Sequence, residues 1–262
     1  MDLIHSAPWL YSVAGFCVGF LVGITGVGGG SLMTPLLILA FGVHPSVAVG
    51  TDLLYAAITK TAGTLIHGLH RTIEWRVVGR LAAGSVPVAA LTLLALSCFD
   101  VTGEASHELI TKVLSAALFV TAAVLIFRSK LLALRTALVG DLDPRRTALV
   151  TVAFGGILGL LVSISSVGAG AIGVTALALL YPHLPIRRLV GSDIAHAVPL
   201  TLVAGIGHWI LGSTDWHLLG LLLIGSLPGV LVGGRVSIRV PDTALRFILA
   251  GTLILTGAKL LF

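Results

Sequence analysis

Apolar runs and short polar turns alternate along the whole chain. In the first half the apolar runs occupy 9 to 25, 31 to 42, 46 to 69, 76 to 97 and 108 to 128; in the second they occupy 147 to 163, 170 to 181, 187 to 211, 217 to 236 and 243 to 262. Two are short. The twelve residues of 31 to 42, and of 170 to 181, reach only ~18 Å as helix, against a hydrocarbon core of ~30 Å. Each short run follows an interruption: Gly23-Ile-Thr-Gly26-Val-Gly28-Gly29-Gly30-Ser31 in the first half, and a Ser/Gly stretch from Ser163 to Gly170 in the second. Unpaired backbone in hydrocarbon costs several kcal/mol per group, so irregular chain survives there only where protein buries it or it lines a cavity. Both breaks therefore mark a site, and each flanking pair is expected to form a helical hairpin meeting near mid-membrane rather than two full spans.

The pattern occurs twice. An offset of 140 carries Gly19, Gly28 and Gly30 onto Gly159, Gly168 and Gly170, and Pro45 onto Pro185. Beyond the prolines an offset of 141 carries Gly50-Thr51-Asp52 onto Gly191-Ser192-Asp193, His67 onto His208, Glu74-Trp75 onto Asp215-Trp216, and Gly79, Gly84 and Pro87 onto Gly220, Gly225 and Pro228. The expected fold is an all-α polytopic membrane protein of two repeats, 8–128 and 147–262, joined by a polar linker at 129–146. Each repeat contains a broken-helix hairpin plus three transmembrane helices.

Basic residues set the expected orientation. Arg128, Lys130, Arg135, Arg145 and Arg146 place the linker in the cytoplasm, as do Arg71, Arg76 and Arg80 the turn near residue 75. The loop with Asp100, Glu104 and Glu108 falls outside. In the second half the sides exchange: Gly212 to His217 carries no Lys or Arg, whereas Arg187, Arg188, Arg235 and Arg239 mark the opposite turns. The repeats are thus expected to have inverted topology with both termini outside. Inverted repeats with helices broken at matching places point to a secondary transporter whose site lies at their interface.

Composition excludes the soluble classes. The chain has 262 residues, 56% hydrophobic and 10% charged, with a mean hydropathy of +1.08, where a soluble domain carries about 25% charged residues. The formal charge of +5 is confined to turns between apolar runs, which makes it an orientation signal and not a nucleic-acid footprint. Cys17 and Cys98 give no disulfide framework. The N-terminus before residue 9 has no Lys or Arg, so the first apolar run is expected to stay in the mature protein. No cofactor motif, metal spacing or Ser/His/Asp arrangement argues for an enzyme.

The glycine break leaves the first N–H groups of the following helix without intrahelical partners, and with the helix dipole these form an anion site that needs no basic side chain. The candidate substrate ligands are Gly26, Gly28, Gly29, Gly30 and Ser31, matched by Ser165, Ser166, Gly168 and Gly170, with Thr51, Ser192 and Lys60 nearby. Close helix packing is the competing role for these glycines and the favoured one for Gly19 and Gly23. Ionisable groups within the membrane are functional candidates: Lys60 as counter-charge to an anion, and Asp52, Asp193 and His196 as proton carriers. Local hydrogen bonding is the alternative for both aspartates and the favoured one for His196. His67 and His208 are assigned to interfaces, and Trp75 and Trp216 to aromatic belts.

The run Gly23-Ile-Thr-Gly26-Val-Gly28-Gly29-Gly30-Ser31-Leu-Met-Thr-Pro35-Leu-Leu, followed by Val47-Ala48-Val49-Gly50-Thr51, His67 and Trp75, resembles the sulfite exporter TauE/SafE family, also called the toluene sulfonate uptake permease family. That resemblance implies a multi-pass transporter in the bacterial inner membrane that moves sulfite, organosulfonates or related sulfur oxyanions. Family members commonly have serine after the threonine, where this chain has Asp52 and, after Ser192, Asp193; an acid beside an anion site implies proton coupling or a different ligand. The expected partners are the lipid bilayer and a small anion, with a homodimer left open and no nucleic acid. A passive anion channel is the alternative to a carrier.

Overall fold

A computed structural model of the chain describes residues 8–25, 30–98, 103–138, 143–236 and 242–261. Ten helices account for nearly all of them, and no strand occurs among the described residues. They are α1 (Trp9–Thr25), α2 (Gly30–Phe41), α3 (Pro45–Leu69), α4 (Trp75–Leu96), α5 (Glu104–Leu138), α6 (Pro144–Ser165), α7 (Ala171–Leu180), α8 (Ile186–Ile210), α9 (Trp216–Val236) and α10 (Asp242–Leu261). Helix starts follow local chemistry. Pro144 stands at the first turn of α6, where no N–H is needed, and the Asp143 carboxylate accepts the Arg145 N–H at 3.2 Å. Five helices, α4, α5, α6, α8 and α9, are long and apolar enough to cross a membrane, and their outward faces carry exposed Leu, Ile and Trp side chains such as Leu91, Leu149, Ile210 and Trp216. This is a multi-pass membrane protein.

Two expectations about boundaries change. Helix α5 continues to Leu138, ten residues past the expected linker start after residue 128. Helix α6, at 22 residues, spans ~33 Å by itself, while the 10 residues of α7 span ~15 Å. The second hairpin therefore joins one helix of spanning length to one of about half that length, not two full spans.

The helices pack in pairs that exchange of the two halves interconverts. Helix α1 lies along α9 as α6 lies along α4; α3 crosses α8; α5 packs on α10; and α2 rests on α3 and α10 as α7 rests on α8 and α5. Glycine makes the first pairing possible. A methyl group at Gly19 or Gly225 would overlap the backbone of Ser226 or Ser12, and one at Gly159 or Gly84 that of Ser85 or Val152. These helices are in backbone contact, as small residues permit in membranes, and the packing role favoured for Gly19 is the one observed. The matched Gly79 and Gly220 face open space instead.

A second set of reciprocal contacts joins the halves. The Asp215 N–H, at the start of α9, donates to the Thr51 hydroxyl of α3 at 3.0 Å, and the Glu74 N–H, at the start of α4, donates to the Ser192 hydroxyl of α8 at 2.8 Å. Just before each, Gly50 packs on Ser213 and His208, and Gly191 on Thr72 and His67. The imidazoles hold those turns through Nδ1, His67 with Thr72 at 2.8 Å and His208 with Ser213 at 2.9 Å. In Gly-Thr/Ser-Asp, glycine thus admits the opposite half and the hydroxyl caps its next helix. Replacing Thr51 by Val keeps the shape but removes the acceptor of the part-buried Asp215 N–H bond, and is expected to lower stability by about 0.5 to 1.5 kcal/mol. Thermal unfolding in detergent measures it, and Ser192→Ala should behave alike.

Candidate functional site

Helices α3 and α8 pack together beside the second break, and each brings one acid there. Asp52 and Lys60 of α3 and Asp193 and His196 of α8 are all buried, Lys60 being the most accessible at 8% exposure. The other polar residues of α3 contribute little here: Thr59, Thr61 and Thr64 return their hydroxyls to the carbonyls of Tyr55, Ala57 and Lys60, four residues back, at 2.9, 2.7 and 2.8 Å.

The second break is described in full. Helix α6 ends with Ser166 in the left-handed region at φ 58°, and Gly168 and Gly170 have φ of 126° and 129°, conformations that glycine adopts without a Cβ penalty. Ser165 folds back onto Leu161 O at 2.7 Å and accepts the Val167 N–H at 3.2 Å. The Ser163 carbonyl, freed by the end of the helix, takes the His208 Nε2 at 2.8 Å. A carbonyl only accepts, so Nε2 carries the proton and Nδ1 faces Ser213 as acceptor. His208 is therefore a support of the break, consistent with its assignment to an interface.

The charged groups converge on this break. Lys60 Nζ reaches the Ala169 carbonyl at 3.5 Å and stands within electrostatic range of both Asp193 and Asp52. Asp193 faces the Gly170 amide and lies so close to Gly173 that a methyl group there would overlap the carboxylate. Asp52 Oδ2 accepts the Thr34 hydroxyl of α2 at 2.5 Å, and Ser166 sits beside it. His196 Nε2 shares a hydrogen bond of 2.8 Å with Ser85 of α4. At the corresponding place in the other half, 141 residues on for Ser85 and 141 back for His196, Ser226 lies beside Tyr55.

Several of these buried groups remain unsatisfied. Among the described residues Asp52 Oδ1, Asp193 Oδ1 and His196 Nδ1 have no hydrogen-bond partner, while the Ser166 hydroxyl has Asp52 beside it and the Tyr55 and Ser226 hydroxyls have each other. Buried polar atoms are ordinarily paired, and these stand beside a lysine and two carboxylates, which makes the cluster the candidate site.

The sequence-predicted residues thus divide. Lys60, Asp52, Asp193, His196, Ser166 and Gly170 come together. Ser165 and Gly168 shape the break, Ser165 with its hydroxyl turned to its own helix. Thr51 and Ser192, expected to contact substrate, have their hydroxyls committed to the opposite half. Gly26, Gly28 and Gly29 lie outside the described residues; Gly30 and Ser31 open α2. Sequence reasoning missed Thr34, Tyr55, Ser85, Gly173 and Ser226. Two signals for them existed: the offset of 141 pairs Ser85 with Ser226 and Tyr55 with His196.

Comparison with known proteins agrees with this architecture. The family model described as Sulfite exporter TauE/SafE matches residues 11–260. A probable membrane transporter protein of Bacillus subtilis (strain 168), YjnA, is 39% identical over 251 residues, covering 94% of this chain and 97% of its own. A second from that organism, YdhB, is 26% identical over 250 residues, with 94% and 97% covered. A probable membrane transporter protein of Methanocaldococcus jannaschii is 23% identical over 268 residues, with 96% and 94% covered. No solved structure matches the chain significantly.

Proposed function

Because the chain belongs to the sulfite exporter TauE/SafE family, we propose that this membrane transporter carries a small sulfur oxyanion, sulfite or an organosulfonate, together with a proton, by alternating access of two inverted repeats in the inner membrane. The observation that supports this reading most is the buried Lys60 between Asp52 and Asp193 at the second break.

Charge balance supplies the coupling. Unpaired charge inside a low-dielectric core is expensive, so the cluster favours states near neutrality. Without substrate, Lys60 in its charged form balances one ionised aspartate while the other holds a proton. A singly charged anion facing Lys60 restores neutrality only if the second aspartate is protonated as well. Anion and proton therefore occupy the site together, and the gradients across the membrane set the net direction. The Lys60 ammonium and the Ser166 hydroxyl beside Asp52 are the donors nearest this point for the anion's oxygens.

The test is sulfite flux in proteoliposomes with and without an imposed pH gradient. Wild type should accumulate sulfite in response to the gradient. The double variant Asp52→Asn/Asp193→Asn, with both acids fixed in a neutral form, should lose that response, with gradient-driven accumulation down by about tenfold, the equivalent of ~1.4 kcal/mol of coupling, while exchange at equal pH persists and either single variant keeps the response through its remaining aspartate. Flux that ignores the gradient in wild type identifies a channel, and an unchanged gradient response in the double variant removes the aspartates from coupling.

A further inference from the structure

Among the cavities on the described part of the molecule, two are related by the internal repeat. One, of about 340 Å³, is lined by Glu74, Arg76 and Arg80 of the α4 entrance, Pro144 at the start of α6, and Tyr181 and His183 after α7. The other, of about 410 Å³, is lined by Asp215, His217, Leu221, Phe41 and Val43. These are the equivalents of Glu74, Arg76 and Arg80 at an offset of 141, and of Tyr181 and His183 at 140. The shapes are shared but the chemistry is not. Two guanidiniums in the first cavity become an imidazole and a leucine in the second.

The arginines are arranged for a ligand. Arg76 and Arg80 are spaced i, i+4 on α4, where like charges repel each other by ~0.2–0.5 kcal/mol, a repulsion that a bound anion would relieve. The carboxylate lining the cavity is engaged elsewhere: Glu74 faces Arg188 of α8 at 3.7 Å. Arg80 is held in place by a directed chain. Its Nη1 donates to the Tyr181 hydroxyl at 3.0 Å; that hydroxyl lies 2.8 Å from Thr151 Oγ1, and Thr151 donates to Thr147 O at 2.6 Å. Thr151 spends its proton on the carbonyl, so Tyr181 donates to Thr151 and keeps its lone pairs for Arg80. Arg80 so held lines the cavity together with Arg76, and a guanidinium is the group suited to planar, two-point recognition of an oxyanion. The site also sits at the right end of the hairpin. From Tyr181 the ten residues of α7, ~15 Å of helix, lead back to Gly170, Asp193 and Lys60.

We propose that this cavity is a second anion site, a loading vestibule on the cytoplasmic face that gathers small sulfonate-like or sulfite-like oxyanions before they pass to the central cluster. This rests on the transport reading above. The opposite vestibule has no guanidinium in the matching positions, so access from the two faces is unequal although the backbone is repeated.

The test measures sulfite uptake from each face separately, in right-side-out and inside-out vesicles, for wild type and the Arg76→Gln/Arg80→Gln double variant. The variant should raise KM about tenfold from the arginine-bearing face, the loss expected for hydrogen bonds to a charged group, with the maximal rate from that face and the KM from the opposite face unchanged, and the maximal rate from the opposite face lowered by the same factor, as the fixed overall equilibrium requires. Its KM at the arginine face should also lose most of its dependence on salt. Equal KM changes on both faces, no change on either, or a variant inserted in the reverse orientation overturns the vestibule while leaving the central site standing. Wild type that moves no sulfite from either face overturns the transport reading and the vestibule together.

Discussion

Lys60→Met is expected to abolish sulfite flux in a protein that still folds. The ammonium is buried, has its hydrogen bond among the described residues to the Ala169 carbonyl at 3.5 Å, and stands in range of both Asp52 and Asp193. Within the membrane the aspartates can answer its loss by taking up protons, which leaves neutral acids with polar neighbours such as Thr34 and Gly170. That protects the fold. An incoming anion has no such escape. A unit charge at ~4 Å contributes ~4 kcal/mol at an effective dielectric constant near 20, so binding should weaken by about a thousandfold. Lys60→Arg should restore part of the flux, because it returns the charge on a larger, planar group. The measurement is labelled sulfite uptake into proteoliposomes, with size-exclusion chromatography confirming a folded species. Uptake by Lys60→Met at the wild-type rate would remove the lysine from the site.

The second large effect concerns assembly. Gly225→Leu and Gly84→Leu place a side chain where α9 and α4 touch the carbonyls of Ser12 and Val152. Backbone cannot move aside as a flexible side chain can, so the cost should exceed the ~1–3 kcal/mol usual for overpacking, and little folded protein should be recovered from the membrane. Gly79 and Gly220 provide the control on the same two helices. With open space beyond them, Gly79→Ala and Gly220→Ala should be tolerated and even gain up to ~1 kcal/mol of helix propensity. Equal yields for Gly84→Leu and Gly79→Ala, read by fluorescence-detected size exclusion, would mean that the close packing of α4 on α6 is dispensable.

Both predictions draw on information the sequence carried unevenly. The helices and their order were readable because apolar length and polar turns report directly on burial in a bilayer. The matching glycines, prolines and Gly-Thr/Ser-Asp motifs were readable as repeats, since an internal copy shows itself as a fixed offset. Lys60, Asp52 and Asp193 stood out because ionisable side chains are costly in hydrocarbon. The roles within those motifs were harder. Thr51 and Ser192 sit next to the aspartates in sequence, yet on a helix adjacent residues point about 100° apart. One side chain therefore faces the centre while its neighbour reaches the opposite half and caps it.

By itself, then, the amino-acid sequence determined that the chain is a helical membrane protein, that its pattern is duplicated, and which few charged residues are buried in it. These follow from composition, period and the cost of charge in lipid, all of which are local. Only the tertiary structure decided which residues share a point in space. It brought Lys60 to the Ala169 carbonyl across 109 positions, Ser85 to His196 across 111, and Thr51 to the head of α9. Contacts of that range are selected by how glycine-lined helices interlock across the two halves, and no local pattern along the chain encodes them.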